Sequence, residues 1–201
     1  MLRTLTLLSS GAMAGCRIQR APLVQRTFRL QLPIPAVGAR ASETAGAVLL
    51  VRPFHVVAAA DSRSFLIRRG EAEFTVDAYN GFVQSPGSMF AEAMADWVRG
   101  LGSYRLVSTG GSQVVPTYFL EGEVQELWGD YRVADSPKAV LSVAVRLLHP
   151  RSGEPMKVEW EQAERREVVM AKAEPDALVA GWNRALEEIA KALEERMRPS
   201  G

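Results

Sequence analysis

Cysteine is almost missing from this chain: Cys16 stands alone among 201 residues. One thiol excludes an internal disulfide framework and any multi-cysteine metal site. Histidine is nearly as scarce, with only His55 and His149, so no recognisable zinc cluster can be assembled. An excess of one charge is absent too, Lys+Arg being 24 against Asp+Glu 23. A nearly neutral chain offers no basic face, and no nucleic-acid partner is expected. No apolar run reaches the roughly 20 residues that a membrane-spanning helix needs. Nor is there a Gly-x-Ser-x-Gly elbow, a Walker-type phosphate loop or a dinucleotide fingerprint. The chain therefore brings no ATPase of its own, and we expect no enzyme activity, no cofactor and no bound metal.

What is present begins at the first residue. Met1-Leu2-Arg3 is followed by a short apolar run from Thr4 to Ala12 and then by Met13-Ala14-Gly15-Cys16. A charged start, an apolar middle and small residues before the cut describe a secretory signal. The small pair directly before the cysteine makes it a lipoprotein signal, with cleavage before Cys16 and acylation of the new amino terminus. Two other readings stand beside this one: a buried apolar element with Cys16 as a core thiol, and a short membrane anchor. Arg17, Gln19 and Arg20 make a poor setting for a buried thiol. The expected organisation is a signal over 1–15, a lipidated start and tether over 16–26, and one water-facing domain over 27–198. Removing the signal takes away Arg3 and no acid, which leaves the mature charges balanced.

Hydrophobic periodicity supplies the elements. Alternation predicts strands over 27–32, 64–68 and 73–79, with Asn80-Gly81 as punctuation; the dense aliphatic run over 47–51 predicts a central strand, which His55 leaves as an edge or core histidine before a crossing segment over 56–62. A helix is predicted from Pro86 to Leu101, capped by Ser85, with Phe90, Met94, Trp97, Val98 and Leu101 as its apolar stripe. After a short strand over 104–108, long strands are predicted over 118–128, 139–148 and 156–168. On the first of these, Leu120, Gly122, Val124 and Trp128 share a face, and Leu127 lies on the wet one. Pro150 to Gly153 closes a hairpin, with His149 read as a turn residue. Leu178, Trp182, Leu186, Ile189, Leu193 and Met197 recur at three- and four-residue steps, a second helix from about Pro175. The fold class is α+β: a mixed, largely antiparallel sheet with two amphipathic helices packed on one face.

Candidate site residues are few. Glu121, Glu123 and Glu126 read as a solvated strand face. Tyr79-Asn80-Gly81-Phe82 reads as an exposed contact loop, and Trp128 with Tyr131 as a second contact point. Tyr79, Phe82, Trp128 and Tyr131 are thus the candidate partner contacts, and Cys16 the lipidation site. Phe90, Met94, Val143 and Trp182 would either fill a solid core or line a lipid cavity between helices and sheet.

Taken in order, four features resemble the ABC-type transport auxiliary lipoprotein family. They are Cys16; the strand Thr27-Phe28-Arg29-Leu30; the block from Phe65-Leu66-Ile67-Arg68-Arg69 through Phe74 to Asn80 and on through Ser85-Pro86 to Trp97; and Trp182-Asn183-Arg184-Ala185-Leu186. Where the family often has Tyr-x-x-Trp, this chain has Tyr79-Asn80-Gly81-Phe82. The resemblance implies an α+β envelope lipoprotein of a Gram-negative bacterium, facing the periplasm and acting beside an ABC permease, its ATPase and a mammalian-cell-entry domain protein in lipid transport. Arg17 after the cysteine, in place of aspartate, favours the outer membrane. Self-association into a homo-oligomer is compatible with it. The competing reading is a structural envelope lipoprotein that assists assembly of a pore or secretion complex.

Overall fold

The structure, a computed structural model, describes residues 25–35, 46–57, 60–111 and 113–197. The expected signal and most of the expected tether, Cys16 included, lie outside the described residues. Within them are nine strands and two helices. In order they are β1 (Arg26–Phe28), β2 (Val48–Val51), β3 (His55–Val56), β4 (Ser64–Arg68), β5 (Phe74–Phe82), α1 (Pro86–Leu101), β6 (Leu106–Ser108), β7 (Tyr118–Asp130), β8 (Lys138–Arg151), β9 (Glu154–Val169) and α2 (Pro175–Leu193).

β7 is the spine of one open, mixed sheet. Along one edge it pairs antiparallel with β8 from Phe119 to Asp130. Along the other, three short strands run parallel to it in succession: β2 at residues 118–120, β3 at 123–124 and β4 at 129–130. β8 carries β9 antiparallel on its far side. β4 pairs antiparallel with β5, β5 parallel with β1, and β2 parallel with β6. The expected mixed α+β architecture is thus present. Its long ladders are antiparallel and its short ones mostly parallel, a distinction that alternation within single strands does not reveal.

Both helices cover one face. α1 begins and ends where sequence placed it, and Gly102 closes it in the left-handed conformation at φ 69°. Ser85 occupies the cap position, but its hydroxyl bonds Ser88 at 2.9 Å in place of a backbone N–H. Phe90, Met94, Trp97 and Val98 are buried as expected. Phe54 lies between α1 and the sheet, stacked on Phe90 with centroids 6.2 Å apart. Its ring occupies the space above Gly122, where a Cβ would come within 2.1 Å of it.

α2 docks over β8 and β9 through Trp182. The indole meets Phe65 edge-on at 5.1 Å and Phe82 at 5.4 Å. Its Nε1–H donates to the carbonyls of Val140, at 3.1 Å, and Trp128, at 3.3 Å. Gly181 permits this approach, because a Cβ there would sit 2.6 Å from that of Ala139. Phe90, Met94, Val143 and Trp182 all belong to a single packed core cluster, which favours the solid core over a lipid cavity at that place.

One strand departs from the expected parity. A bulge at Gln125 shifts the β7–β8 register between Val124 and Glu126. Residues beyond it change sides. Leu127 therefore enters the core, and Trp128 turns to the opposite face against Phe74, with ring centroids 5.5 Å apart. The simple period-2 reading placed these two residues the other way round.

Removing the indole is expected to be the costliest single change in α2. Trp182→Ala should lower unfolding free energy by about 3–5 kcal/mol. Trp182→Phe should cost less, losing the two hydrogen bonds but keeping most of the ring packing. Urea denaturation followed by far-UV circular dichroism checks both.

Candidate interaction site

β5 is where the chain breaks its own regularity. Leu66 pairs with Val76, yet Ser64 pairs with Gly81. Between these pairings β5 spends more residues than β4, and the excess bulges outward. Asp77 holds the bulge: its Oδ1 accepts the N–H groups of Tyr79, at 2.8 Å, and Asn80, at 3.1 Å, while its Oδ2 accepts the Asn80 side-chain amide at 2.9 Å. Such short acidic side chains readily satisfy nearby backbone donors. Tyr79 is thereby pushed into solvent and is 60% exposed.

The expected contact loop is therefore a strand end. Asn80, Gly81 and Phe82 continue β5 and pair with β1. Gly81 has no room for a side chain, since a Cβ would lie 2.5 Å from the Arg63 carbonyl oxygen. Phe82 is only 3% exposed and packs on Phe65 at 4.8 Å. Its assignment as a surface contact is thus corrected: it is a core ring, because the strand resumes its alternation after the bulge. Trp128 is half-buried against Phe74 on the face away from the helices.

Tyr79 and Tyr131 do come together. They line a groove of about 410 Å³ on the helix side of β4 and β5, with Phe65, Ile67 and Leu178 as its apolar floor. Arg69, Thr75 and Asp77 supply its polar groups. The Arg69 guanidinium stands 5.9 Å from the Tyr131 ring, and its Nε donates to Thr75 Oγ1 at 3.2 Å. Burial pushes the Tyr131 phenol up to about 12, with the Asp77 charge adding to the rise and Arg69 opposing it. The hydroxyl therefore stays protonated at neutral pH.

One end of the groove is braced by charge. Arg132 grips the nearly buried Asp130 with two nitrogens, Nε to Oδ1 at 3.0 Å and Nη2 to Oδ2 at 2.7 Å. Its remaining Nη1 reaches Glu71 at 2.8 Å. The Tyr131 N–H donates to the Arg68 carbonyl at 2.9 Å. Together these tie the turn before β5 to the loop after β7.

The three glutamates of β7 lie on the solvated face. Glu121 pairs with Arg52, and Glu126 with Arg165. Arg165 also reaches Glu167, which in turn accepts Lys138 at 2.8 Å. His55 lies on β3 in a second, smaller groove with Arg52, Glu121, Glu123 and Arg146. His149 belongs to β8 itself, 4.9 Å from the Tyr118 ring and 3.5 Å from Glu159. The reading of His149 as a turn residue is corrected, because β8 runs three residues beyond its expected end. Among the described residues no three His, Cys, Asp or Glu side chains gather as metal ligands. No described helix is long and apolar enough to cross a membrane.

Sequence reasoning missed Arg69, Thr75 and Asp77 as a group. The available signal was Asp77 two residues before Tyr79 and three before Asn80, an acceptor in reach of two backbone donors.

The geometry defines an open mixed sheet covered by two helices, with a grooved flank. The sequence profile of the ABC-type transport auxiliary lipoprotein component matches residues 28–194, and the chain belongs to that family. An accessory role and a cell-envelope setting follow from the family. Among solved structures, a Xanthomonas campestris protein of family DUF330 superposes with a TM-score of 0.70 at 18% identity, over 84% of this chain and 92% of that one. A second, uncharacterised protein gives 0.65 at 11% identity, over 87% and 99%. A hypothetical protein from Chlamydia trachomatis gives 0.50 at 12%, over 76% and 98%. At these identities the likeness is one of fold. No functionally curated protein matches the sequence.

The Asp130–Arg132 pair predicts an acid signature. The Arg132 hydrogen bonds hold the Asp130 carboxyl below the usual carboxylate range. A depressed folded value stabilises above the unfolded value of about 3.9 and loses that contribution as pH falls through the folded one. Asp130→Asn should lower the melting temperature at pH 7 and flatten its decline below about pH 4. Thermal melts across pH 2–7 check this.

Proposed function

We propose that this protein is a non-catalytic accessory lipoprotein of an ABC-type, mammalian-cell-entry-linked lipid transport system in the Gram-negative envelope. It is held to the membrane by acyl chains on Cys16, faces the periplasm and sits at the outer membrane. Its partners are the mammalian-cell-entry domain protein and, with it, the permease and ATPase. The observation that carries the reading is the family match over 28–194. The lipoprotein-type sequence ending at Cys16 supports it, as does the lack of any motif for nucleotide hydrolysis within the chain.

Anchoring makes physical sense of a domain with no chemistry of its own. A tethered domain meets a membrane-bound partner at a raised effective concentration, so modest contact surfaces suffice. One acyl chain holds only marginally, while two or more hold firmly. Tyr79, Trp128 and Tyr131 are the surface residues assigned to partner contact.

Cys16→Ser tests the anchor. It should block normal amino-terminal processing and move the protein from the membrane fraction to the soluble one, read by fractionation and amino-terminal mass spectrometry. Crosslinking of the wild-type protein in membranes should capture transporter components. A Cys16→Ser form that is processed and stays membrane-bound sinks the anchoring. Capture of pore or secretion components alone replaces the transport reading.

A further inference from the structure

Three features meet along the first half of β5. The first is a strand edge left open by the described residues. β1 covers that edge only at residues 80–82, and no described strand pairs with Phe74 to Tyr79 on that side. Arg69 and Gly70 donate to the Glu73 carbonyl at 2.9 and 3.4 Å. Hydrogen-bonded pairs alternate in an antiparallel ladder. With Arg68 opposite Phe74 and Leu66 opposite Val76, the N–H and C=O groups of Phe74 and Val76 therefore point away from β4. Unpaired groups of this kind template another strand.

The second feature is the apolar groove beside that edge, floored by Phe65, Ile67 and Leu178. The third is charge. Asp77 spends both carboxylate oxygens on Tyr79 and Asn80. Arg69 forms a hydrogen bond to Thr75 but no ion pair among the described residues. The groove thus holds an acid whose oxygens are already hydrogen-bonded and a guanidinium with no direct ion pair among the described residues, whose fork of donors suits a carboxylate.

We propose that the free edge of β5 takes up an extended, acid-bearing segment of a partner protein as an added strand, its inward side chains filling the groove and its carboxylate meeting Arg69. Strand addition of this kind draws affinity from main-chain hydrogen bonds and specificity from the pockets beneath alternate side chains. β1 is already paired on the same edge, so the incoming strand prolongs an existing row. The chain's own residues 17–24 fit less well. They carry Arg17 and Arg20, no acid to meet Arg69, and Pro22, which has no N–H to give. The inference rests on the accessory docking role proposed above and names the surface and the chemistry of its partner.

The test places a photo-crosslinking amino acid, p-benzoylphenylalanine, at Val76, at Tyr79 or, as a control on the second groove, at His55, in the full chain in its native envelope. Mass spectrometry then identifies each adduct. Positions 76 and 79 are expected to capture the same short stretch of one partner protein, containing Asp or Glu. Val76→Pro removes an outward N–H without touching the β4 ladder. It should leave the melting temperature nearly unchanged and cut the yield at position 79 at least about fivefold. Arg69→Glu should do the same, and Arg69→Lys should retain most of the yield. Adducts only with lipid, with a second copy or with residues 17–24 overturn the proposal, as does an unchanged yield in Val76→Pro. Capture of transporter components from His55 but not from 76 or 79 sinks the strand addition and spares the auxiliary role. Capture of none from any position, with none in whole-membrane crosslinking, sinks that role as well.

Discussion

A single indole holds the two halves of this fold in register. Trp182 lies between α2 and the sheet, its ring against Phe65 and Phe82 and its N–H shared by the Val140 and Trp128 carbonyls. The ring draws on β4 and β5, and the N–H on β7 and β8. A buried indole N–H without an acceptor is costly, so the helix can settle only where those two carbonyls are within reach. Gly181 makes the approach close enough. The groove beside β5 inherits its shape from this docking, because Leu178, one helical turn earlier, forms its floor.

Polar face and apolar face are separated by different means on each long strand. β7 changes sides at Gln125 through a bulge. β8 is buried on both faces over much of its length, since it lies between two strands whose charged side chains lean across it. β9 is an edge, and it presents Gln162, Glu164 and Arg166 toward the helix side in a row. Inward charges on an edge strand discourage pairing with another copy. β5, in contrast, shows Phe74 and Val76 in the open. The two edges of one sheet therefore differ in whether they invite a neighbour.

Much of this was legible in the residues. The limits of α1 followed from Ser85-Pro86 and Gly102, and the stripe of α2 from its three- and four-residue steps. The β4–β5 hairpin and the β8–β9 hairpin followed from alternation between turn residues. What escaped were the bulges. A one-residue insertion at Gln125 leaves no mark in composition, yet it exchanges Leu127 and Trp128. The Asp77 bulge escaped for the same reason, and Phe82 was misplaced with it. Pairing direction also escaped, since parallel and antiparallel partners share the same alternation. Of the four contact candidates, Tyr79 and Tyr131 share a groove, Trp128 lies on the opposite face, and Phe82 lies inside.

The arrangement along β7 has a consequence for how the chain acquires its shape. β2, β3 and β4 all precede β7 in sequence, yet each rests on it. A polypeptide emerging amino terminus first therefore presents three short strand segments before their common scaffold exists. The sheet cannot be laid down progressively. It must wait until well over half the chain has appeared, and then close over contacts distant in sequence, the slower kind to form.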